Sequence, residues 1–378
     1  MRILFLAPLK PPDHPVPSGE RTVARLFLKL LGRLGYTVQL ASRLRTLTAS
    51  PSSLAWDRLR EMAGREIERI LAEQADDEPV ACVFTYHVYY KAPDLIGPAL
   101  AEALGVPYVI AEASRAPKRA EGPYADGHRL SEAAIDRADL VLTPTRHDRA
   151  MLEALRPPHQ RLVDLRPFLD LDEWPLAGVS RSAAASDEIR LITVAMMREG
   201  DKFASYRQLA DVLERVKDRP WRLTIVGDGP ARGEVEAFFA AISDRVRFLG
   251  AVSDRPALSR LLADSDLFIW PGVNEAFGAV YLEAQAHGLP CLAASYGGIP
   301  DVIRDTKTGR LAPPGDSAAL AACLIELIDD PARRAGMGVA AAQFVANERN
   351  LAPAMTAVRR AFIDVGISLP ASPPGVPL

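Results

Sequence analysis

Strand-like apolar runs that alternate with helical patterns leave a chain few ways to fold, and here the alternation occurs twice. In the first part of the chain the runs fall at residues 2–7, 36–41, 80–84, 106–110 and 140–143. In the second they fall at residues 189–194, 222–226, 246–249, 267–270 and 290–294. Alternation of this kind builds a parallel sheet with helices on both faces. The first helix opens near Ser18-Gly19, keeps Val23, Leu26, Phe27, Leu30, Leu31 and Leu34 at helical spacing, and meets a left-handed stop at Gly35. The stretch 178–186 is small, polar and aperiodic, as a linker between compact units is. The expectation is an α/β protein with two doubly wound parallel-sheet domains, residues 1–178 and 187–348, for which a length of 378 residues is ample. Ser317 is expected to cap an Ala/Leu helix, and Leu351, Met355, Val358 and Phe362 share one face of a last amphipathic helix over 349–366. The Pro-rich tail 367–378 is expected to be poorly ordered.

Composition narrows the partners. A formal charge of −3 gives no electrostatic case for nucleic acid. Cys82, Cys291 and Cys323 lie in apolar surroundings and read as buried reduced thiols, which points to the cytosol. No run of about 18 apolar residues occurs, so the chain is expected to be cytoplasmic, at most peripheral to the inner face of a membrane. Arg43, Arg45, Arg58 and Arg60 could face an anionic membrane, or simply a solvated helix and loop.

Chemistry concentrates around Asn274-Glu275-Ala276-Phe277-Gly278, which follows the strand-like Leu267-Phe268-Ile269-Trp270. A helical pattern opens near Gly278, so Glu275 sits on a loop and Glu283 inside a helix, roughly 8–12 Å apart at ~1.5 Å rise per residue. A nucleotide sugar separates its ribose diol from its sugar hydroxyls by a similar span. The amides of Phe277, Gly278, Ala279 and Val280, at the positive end of the helix dipole, suit a diphosphate between them. The same spacing also suits a capping carboxylate followed by a solvated one.

Other motifs are more ambiguous. Gly227-Asp228-Gly229-Pro230 serves equally well as a ligand contact or a tight strand-to-helix connection; with Gly233 it misses the dinucleotide spacing by one residue. Ser18-Gly19 follows the first strand, where parallel sheets bind ligands, but glycine also suits plain helix initiation. Arg198 and Lys202 place two cations beyond a strand's carboxyl edge, inviting an anion or only solvent. The six histidines make no metal-ligand spacing, and Asp170-Leu171-Asp172 and Asp264-Ser265-Asp266 fit solvated or capping roles better than Mg²⁺, so no metal is expected.

Taken together, Glu275, Phe277-Gly278, Glu283-Ala284, Gly288-Leu289-Pro290 and Gly297-Gly298-Ile299-Pro300-Asp301-Val302-Ile303 resemble the signature of retaining, GT-B-fold glycosyltransferases of family 4, also called glycosyl transferases group 1. Val226-Gly227-Asp228-Gly229-Pro230, Val246-Arg247-Phe248-Leu249-Gly250 and Gly309-Arg310-Leu311 extend the likeness over nearly all of the second domain. The resemblance implies two Rossmann-like domains facing a cleft, with the final helix crossing back to the first. It implies that Glu283 holds the ribose hydroxyls, Glu275 the transferred sugar, and the backbone near Gly250 and Val252 the base. By the same likeness Gly19 approaches the diphosphate, while Arg198 and Lys202 stabilise the leaving charge. The pair is spaced more tightly here than in the family, and where the family has a histidine after the strand corresponding to residues 106–110 this chain has Ala111-Glu112-Ala113-Ser114. Glu112, Arg115, Lys118 or His87 could substitute, or belong to an acceptor loop.

The function implied is metal-independent transfer of a sugar from a nucleotide sugar, UDP rather than GDP, to an acceptor hydroxyl with retained configuration. A growing surface polysaccharide, a lipid-linked sugar or a small metabolite would fit as acceptor. The alternatives are a non-catalytic nucleotide-sugar-binding scaffold and a nicotinamide-dependent oxidoreductase, the latter lacking a glycine fingerprint in either domain.

Overall fold

The computed structural model describes residues 1–16, 18–48, 51–73, 78–174 and 188–370. The linker expected at 178–186 and most of the Pro-rich tail lie outside the described residues. The chain divides into two compact units, one comprising Met1–Arg166 and the chain from Ala352, the other Pro167–Leu351. The division falls upstream of the expected linker because Leu169 and Trp174 already pack into the second unit's core.

The first unit is a six-stranded parallel sheet of β1 (Arg2–Leu6), β2 (Thr37–Leu40), β3 (Val80–Val88), β4 (Tyr108–Ala113), β5 (Leu140–Thr143) and β6 (Arg161–Asp164), in the order β2-β1-β3-β4-β5-β6. In register, Phe5 lies opposite Phe84 and the two rings stack at 5.7 Å. Helices cover the sheet, and its central strands are buried on both faces, which is why they read as continuous apolar runs. The helix Gly19–Arg33 starts where Ser18 accepts a hydrogen bond from the Arg21 amide, and it buries Ala24, Phe27, Leu30 and Leu31. The final helix, Leu351–Asp364, packs on this unit from Ala352 onward: Phe362 meets Tyr36 edge-on at 5.9 Å, and Tyr36 donates to the Ser368 carbonyl at 2.9 Å.

The second unit repeats the design with β7 (Ile189–Val194), β8 (Trp221–Val226), β9 (Val246–Gly250), β10 (Leu267–Ile269), β11 (Cys291–Ala294) and β12 (Gly309–Ala312), in the order β12-β11-β10-β7-β8-β9. Its core gathers Trp221, Phe268, Trp270, Tyr206 and Tyr281. All pairings in both sheets are parallel.

Several sequence expectations change. β6 and β12, each at one edge of its sheet, are additions to the strands expected from the sequence. β3 and β4 extend to Val88 and Ala113, past the ends expected at residues 84 and 110, because His87 and Glu112 occupy strand positions that an apolar pattern cannot reveal. Asp316 rather than Ser317 caps the helix Ser317–Asp329, accepting from the Ala319 amide at 2.8 Å; a carboxylate one residue earlier reaches the free amide that Ser317, already helical, cannot. Cys82, Cys291 and Cys323 are free and buried. Among the described residues no helix is long and apolar enough to cross a membrane. Two of the four arginines considered for a membrane face are neutralised locally, Arg43 by Asp13 and Arg60 by Asp57.

Candidate active site

In the second unit the strand order reverses between β7 and β10, and the chain leaves both strands at their carboxyl ends. A parallel sheet opens a ligand crevice at such a point. From β7 come Arg198 and Lys202; from β10 come Asn274 and Glu275. These four residues, with Glu199, Gly200, Asp201 and Val273, line one cleft of about 400 Å³. The fold thus brings together three of the side chains the sequence singled out, Arg198, Lys202 and Glu275.

Two contacts tie the walls of this cleft. The Val273 amide donates to Ser205 Oγ at 2.9 Å, and Asn274 Nδ2 donates to Asp201 Oδ1 at 2.9 Å. Both acceptors lie in the helix Asp201–Arg215, so the loop after β10 is fastened to the first turns of the helix that follows β7. Lys202 pairs with Glu275 and also lies 5.5 Å from the Trp270 ring, whose body is fully buried. Arg198 is exposed and has no protein partner among the described residues. One cation is therefore held in place while the other stays available.

The glycines of Gly227-Asp228-Gly229 have a structural task. A Cβ on Gly227 would stand 1.8 Å from the Ala195 carbonyl oxygen, and one on Gly229 would stand 2.1 Å from that of Met197. The loop after β8 therefore lies backbone against backbone on the segment leaving β7, fixed by Met197 N–H to Asp228 O at 2.9 Å and Ala231 N–H to Met197 O at 3.1 Å. Gly227 positions the Arg198 segment from behind. Val252, in the loop after β9, is half-buried against the same core.

Gly278 holds the left-handed conformation (φ 71°) just before the helix Ala279–Ala286, and no side chain caps that helix. Its conformation and missing side chain leave the amides of Phe277, Gly278, Ala279 and Val280 without a protein acceptor among the described residues. Glu283 follows in the same helix. Burial raises its pKa to about 7, partly offset by the positive charge of Arg255, and its carboxylate accepts no hydrogen bond from the described residues. Arg255 itself pairs with Glu173 and stacks on Trp174 at 5.2 Å. Sequence reasoning missed this cation, because Arg255 lies 28 positions from Glu283 and nothing local marks the approach. Glu283 is held from behind: its carbonyl oxygen lies 2.7 Å from His287 Nδ1, whose ring is fixed by Ser259 Oγ, 2.6 Å from Nε2.

One aspartate of each pair is engaged within the protein. Asp170 accepts from the Asp172 amide, and Asp266 takes two hydrogen bonds from the Arg190 guanidinium at 3.0 and 2.9 Å.

Ser18 and Gly19 belong to the first unit, at the start of the helix after β1. A Cβ at Gly19 would meet nothing within 4 Å, so packing does not demand glycine there. Beside this helix start the structure gathers a cluster that the sequence had left as alternatives. His87 at the end of β3 and Glu112 near the end of β4 both adopt positive φ, 62° and 66°, which residues with side chains rarely do. His87 Nδ1 lies 2.9 Å from Glu20 Oε2 and 3.5 Å from Glu112 Oε1, and Tyr86 donates to Glu20 at 3.2 Å. Burial disfavours the imidazolium, but Glu20 and Glu112 outweigh it and raise the His87 pKa to about 10. Burial also lifts Glu112 to about 7 against the pull of His87. Of the other candidates, Arg115 is committed to Glu132 and Asp136, and Lys118 is exposed on the turn Pro117–Arg119.

Two doubly wound parallel sheets, with a polar crevice at the strand reversal of the second, define the GT-B fold. Solved structures of this class share the fold along nearly the whole chain. Sucrose-phosphate synthase from Thermosynechococcus elongatus superposes with a TM-score of 0.72 at 18% identity, over 97% of this chain and 99% of that one. Anabaena Alr3699/HepE, solved with UDP-glucose, gives 0.69 at 19% identity over 96% and 100%. Residues 188–330 match the model of the family described as glycosyl transferases group 1. Among curated relatives, D-inositol 3-phosphate glycosyltransferase of Corynebacterium diphtheriae is 39% identical over 37% of this chain and 34% of its own. The 2-deoxystreptamine glucosyltransferase of Streptomyces kanamyceticus is 29% identical over 63% and 65%. The match spans less than two thirds of the length of each of these two relatives.

Proposed function

We propose that the protein is a glycosyltransferase that moves a sugar from a nucleotide-sugar donor to an acceptor hydroxyl with retained anomeric configuration and without a metal ion. The observation that carries this reading is the convergence of Arg198, Lys202 and Glu275 on one cleft, with four unengaged amides at the neighbouring helix start. An unengaged amide row and two cations are what a diphosphate requires. Glu275 and Glu283 then serve the two polyol ends of the donor. Glu283 is a half-buried carboxylate to which the described residues supply no donor, so two vicinal ribose hydroxyls would satisfy it.

In this reading the donor takes over the ion pair between Lys202 and Glu275. Lys202 turns its charge to the diphosphate as the leaving group departs, and Glu275 accepts hydrogen bonds from the transferred sugar. No protein nucleophile is needed: the departing phosphate oxygen helps deprotonate the acceptor hydroxyl on the same face of the sugar, and catalysis is positioning and electrostatics. UDP is favoured as the nucleotide. HepE, similar in fold across 96% of the chain, was solved with UDP-glucose, although one curated relative of 38% identity over 32% of the chain is named as GDP-mannose-dependent.

The test is a thermal-shift screen of UDP-glucose and GDP-mannose with and without EDTA, followed by an assay of nucleotide release across an acceptor panel. A donor-specific shift indifferent to EDTA, with turnover, is the expected result. Binding without transfer or hydrolysis on any acceptor would point to a scaffold, and a shift abolished by EDTA would overturn the metal-free mechanism.

A further inference from the structure

The proposed reaction asks Glu275 to turn to the sugar, and that takes away the carboxylate to which Lys202 is paired. An ammonium on a flexible four-carbon stem has many other places to go once its partner is lost. A second contact within the same unit bears on where it stays. Lys202 Nζ lies 5.5 Å from the centroid of the Trp270 ring, directly after β10. Only 19% of the Lys202 side chain is exposed, so the contact is largely withdrawn from water, where a cation over an indole face is held most strongly.

Trp270 is fixed from several sides. Its amide donates to the Leu292 carbonyl in β11 at 3.0 Å, and its own carbonyl accepts from the Tyr281 hydroxyl at 3.0 Å. The residue is fully buried, and the Tyr206 ring meets the indole at 4.8 Å with the planes at 73°. Lys202 and Tyr206 stand one turn apart on the helix Asp201–Arg215, so a single helix face brings the ammonium and the phenol ring to the same indole. Tyr206 is anchored in turn by donating to the Ala195 carbonyl at 2.7 Å. With Asp201 held to Asn274 and Ser205 to Val273, the helix start cannot drift from the indole without breaking these contacts as well.

The indole carries a cost of its own. Trp270 Nε1 is buried with no hydrogen-bond partner among the described residues, whereas a buried tryptophan ordinarily finds one. Phenylalanine would fill much of the same space without an unmet donor. What tryptophan supplies in greater measure is a negative ring face toward a cation. The lysine over the face and the donor left unmet at the edge therefore point to the same use of the ring.

We propose that Trp270 is a positioning residue for the transfer reaction: its ring face keeps the Lys202 ammonium in the cleft once the sugar has taken Glu275, so that the charge is in place when the diphosphate departs. Its role in turnover rests on the glycosyltransferase reading; the contact between ammonium and indole does not. Because charge develops on the leaving group only as the bond to the sugar breaks, the effect falls on kcat more than on donor affinity.

The experiment is a double-mutant cycle on nucleotide release by the full chain, with whichever of UDP-glucose and GDP-mannose it binds as donor and calorimetry for Kd. Trp270→Leu should lower kcat about tenfold while changing Kd by less than about threefold, and Trp270→Phe, which keeps an aromatic face, should recover most of the loss. In a Lys202→Gln background Trp270→Leu should lower kcat no further. A loss of the same size in both backgrounds would reduce Trp270 to packing and overturn the proposal, as would unchanged turnover in Trp270→Leu. Full turnover in Lys202→Gln would remove Lys202 from the chemistry and the proposal with it. A second measurement decides the matter should Trp270→Leu fail to fold. With the four tryptophans replaced biosynthetically by 5-fluorotryptophan, the fluorine resonance missing from Trp270→Phe belongs to Trp270, and Lys202→Gln should shift that resonance and leave the other three in place. An unshifted resonance would overturn the contact itself. Failure of both nucleotide sugars to bind, with the fluorine shift present, would instead remove the transferase reading and leave the contact between ammonium and indole standing.

Discussion

Lys202 and Glu275, 73 positions apart in the chain, form an ion pair at the carboxyl ends of β7 and β10, with 19% and 20% of their side-chain surfaces exposed. The pair joins the two strand exits between which the strand order of the second sheet reverses, and it holds the two residues with the most direct proposed tasks in one cleft.

Because the donor must replace each partner of this pair, the two residues are expected to fail differently. Glu275→Ala should lower kcat more than it weakens donor binding, and Lys202→Ala should lower kcat by about 10²-fold, in the range seen when one charge-stabilising group is removed from an active site. Steady-state kinetics beside calorimetric donor affinity makes the distinction. Unaltered turnover in both variants would remove these residues from the chemistry.

Glu283 makes a binding prediction of another kind. Glu283→Ala should weaken the donor by about 1.5–3 kcal/mol, the worth of a hydrogen bond to a charged group, or roughly 10- to 150-fold in Kd. The folded protein should tolerate the change well, since the carboxylate accepts no hydrogen bond from the described residues. Calorimetry with UDP-glucose and a thermal melt check both halves.

The raised pKa of Glu283, about 7, makes its contribution depend on pH. A carboxyl group whose folded pKa lies above its unfolded value of about 4.5 favours the folded state at low pH. That stability is complete below about 4.5 and is lost as pH rises through about 7. Ligand binding runs the other way, because the ionised form accepts hydroxyl hydrogens better, so donor affinity should rise between pH 6 and 8 in step with ionisation, on the order of one pKa unit of linkage or more. Glu112 titrates in the same range, so Glu283→Gln is the control: a donor-affinity profile that keeps its slope in that variant assigns the dependence elsewhere.

Two glycines should separate fold from function. Gly229→Ala places a Cβ 2.1 Å from the Met197 carbonyl oxygen and should destabilise the second unit by about 1–3 kcal/mol, as overpacking does. Gly19→Ala meets nothing within 4 Å and should leave the melting temperature unchanged or slightly raised, while reducing donor affinity if a phosphate approaches that helix start. A stability loss at Gly19 comparable to that at Gly229 would make it a structural residue.

Much of the fold was legible because burial on both faces turns a parallel strand into an uninterrupted apolar run. Leu140–Thr143 and Ile189–Val194 could be read directly for this reason. The short strands β6 and β12, whose four residues include Arg161 and Asp164 in one and Gly309 and Arg310 in the other, left no such mark. The donor half of the site was legible for a related reason: Glu275, Gly278 and Glu283 lie within nine consecutive residues, where loop and helix geometry are local matters. What the tertiary structure alone decided is everything that depends on distant segments meeting. Arg255 approaches Glu283, Lys202 reaches Glu275, and His87 lies between Glu20 and Glu112 because sheet order, rather than sequence spacing, sets which strand ends are neighbours. The sequence could name His87 and Glu112 as alternatives; the pairing of β3 with β4 makes them partners.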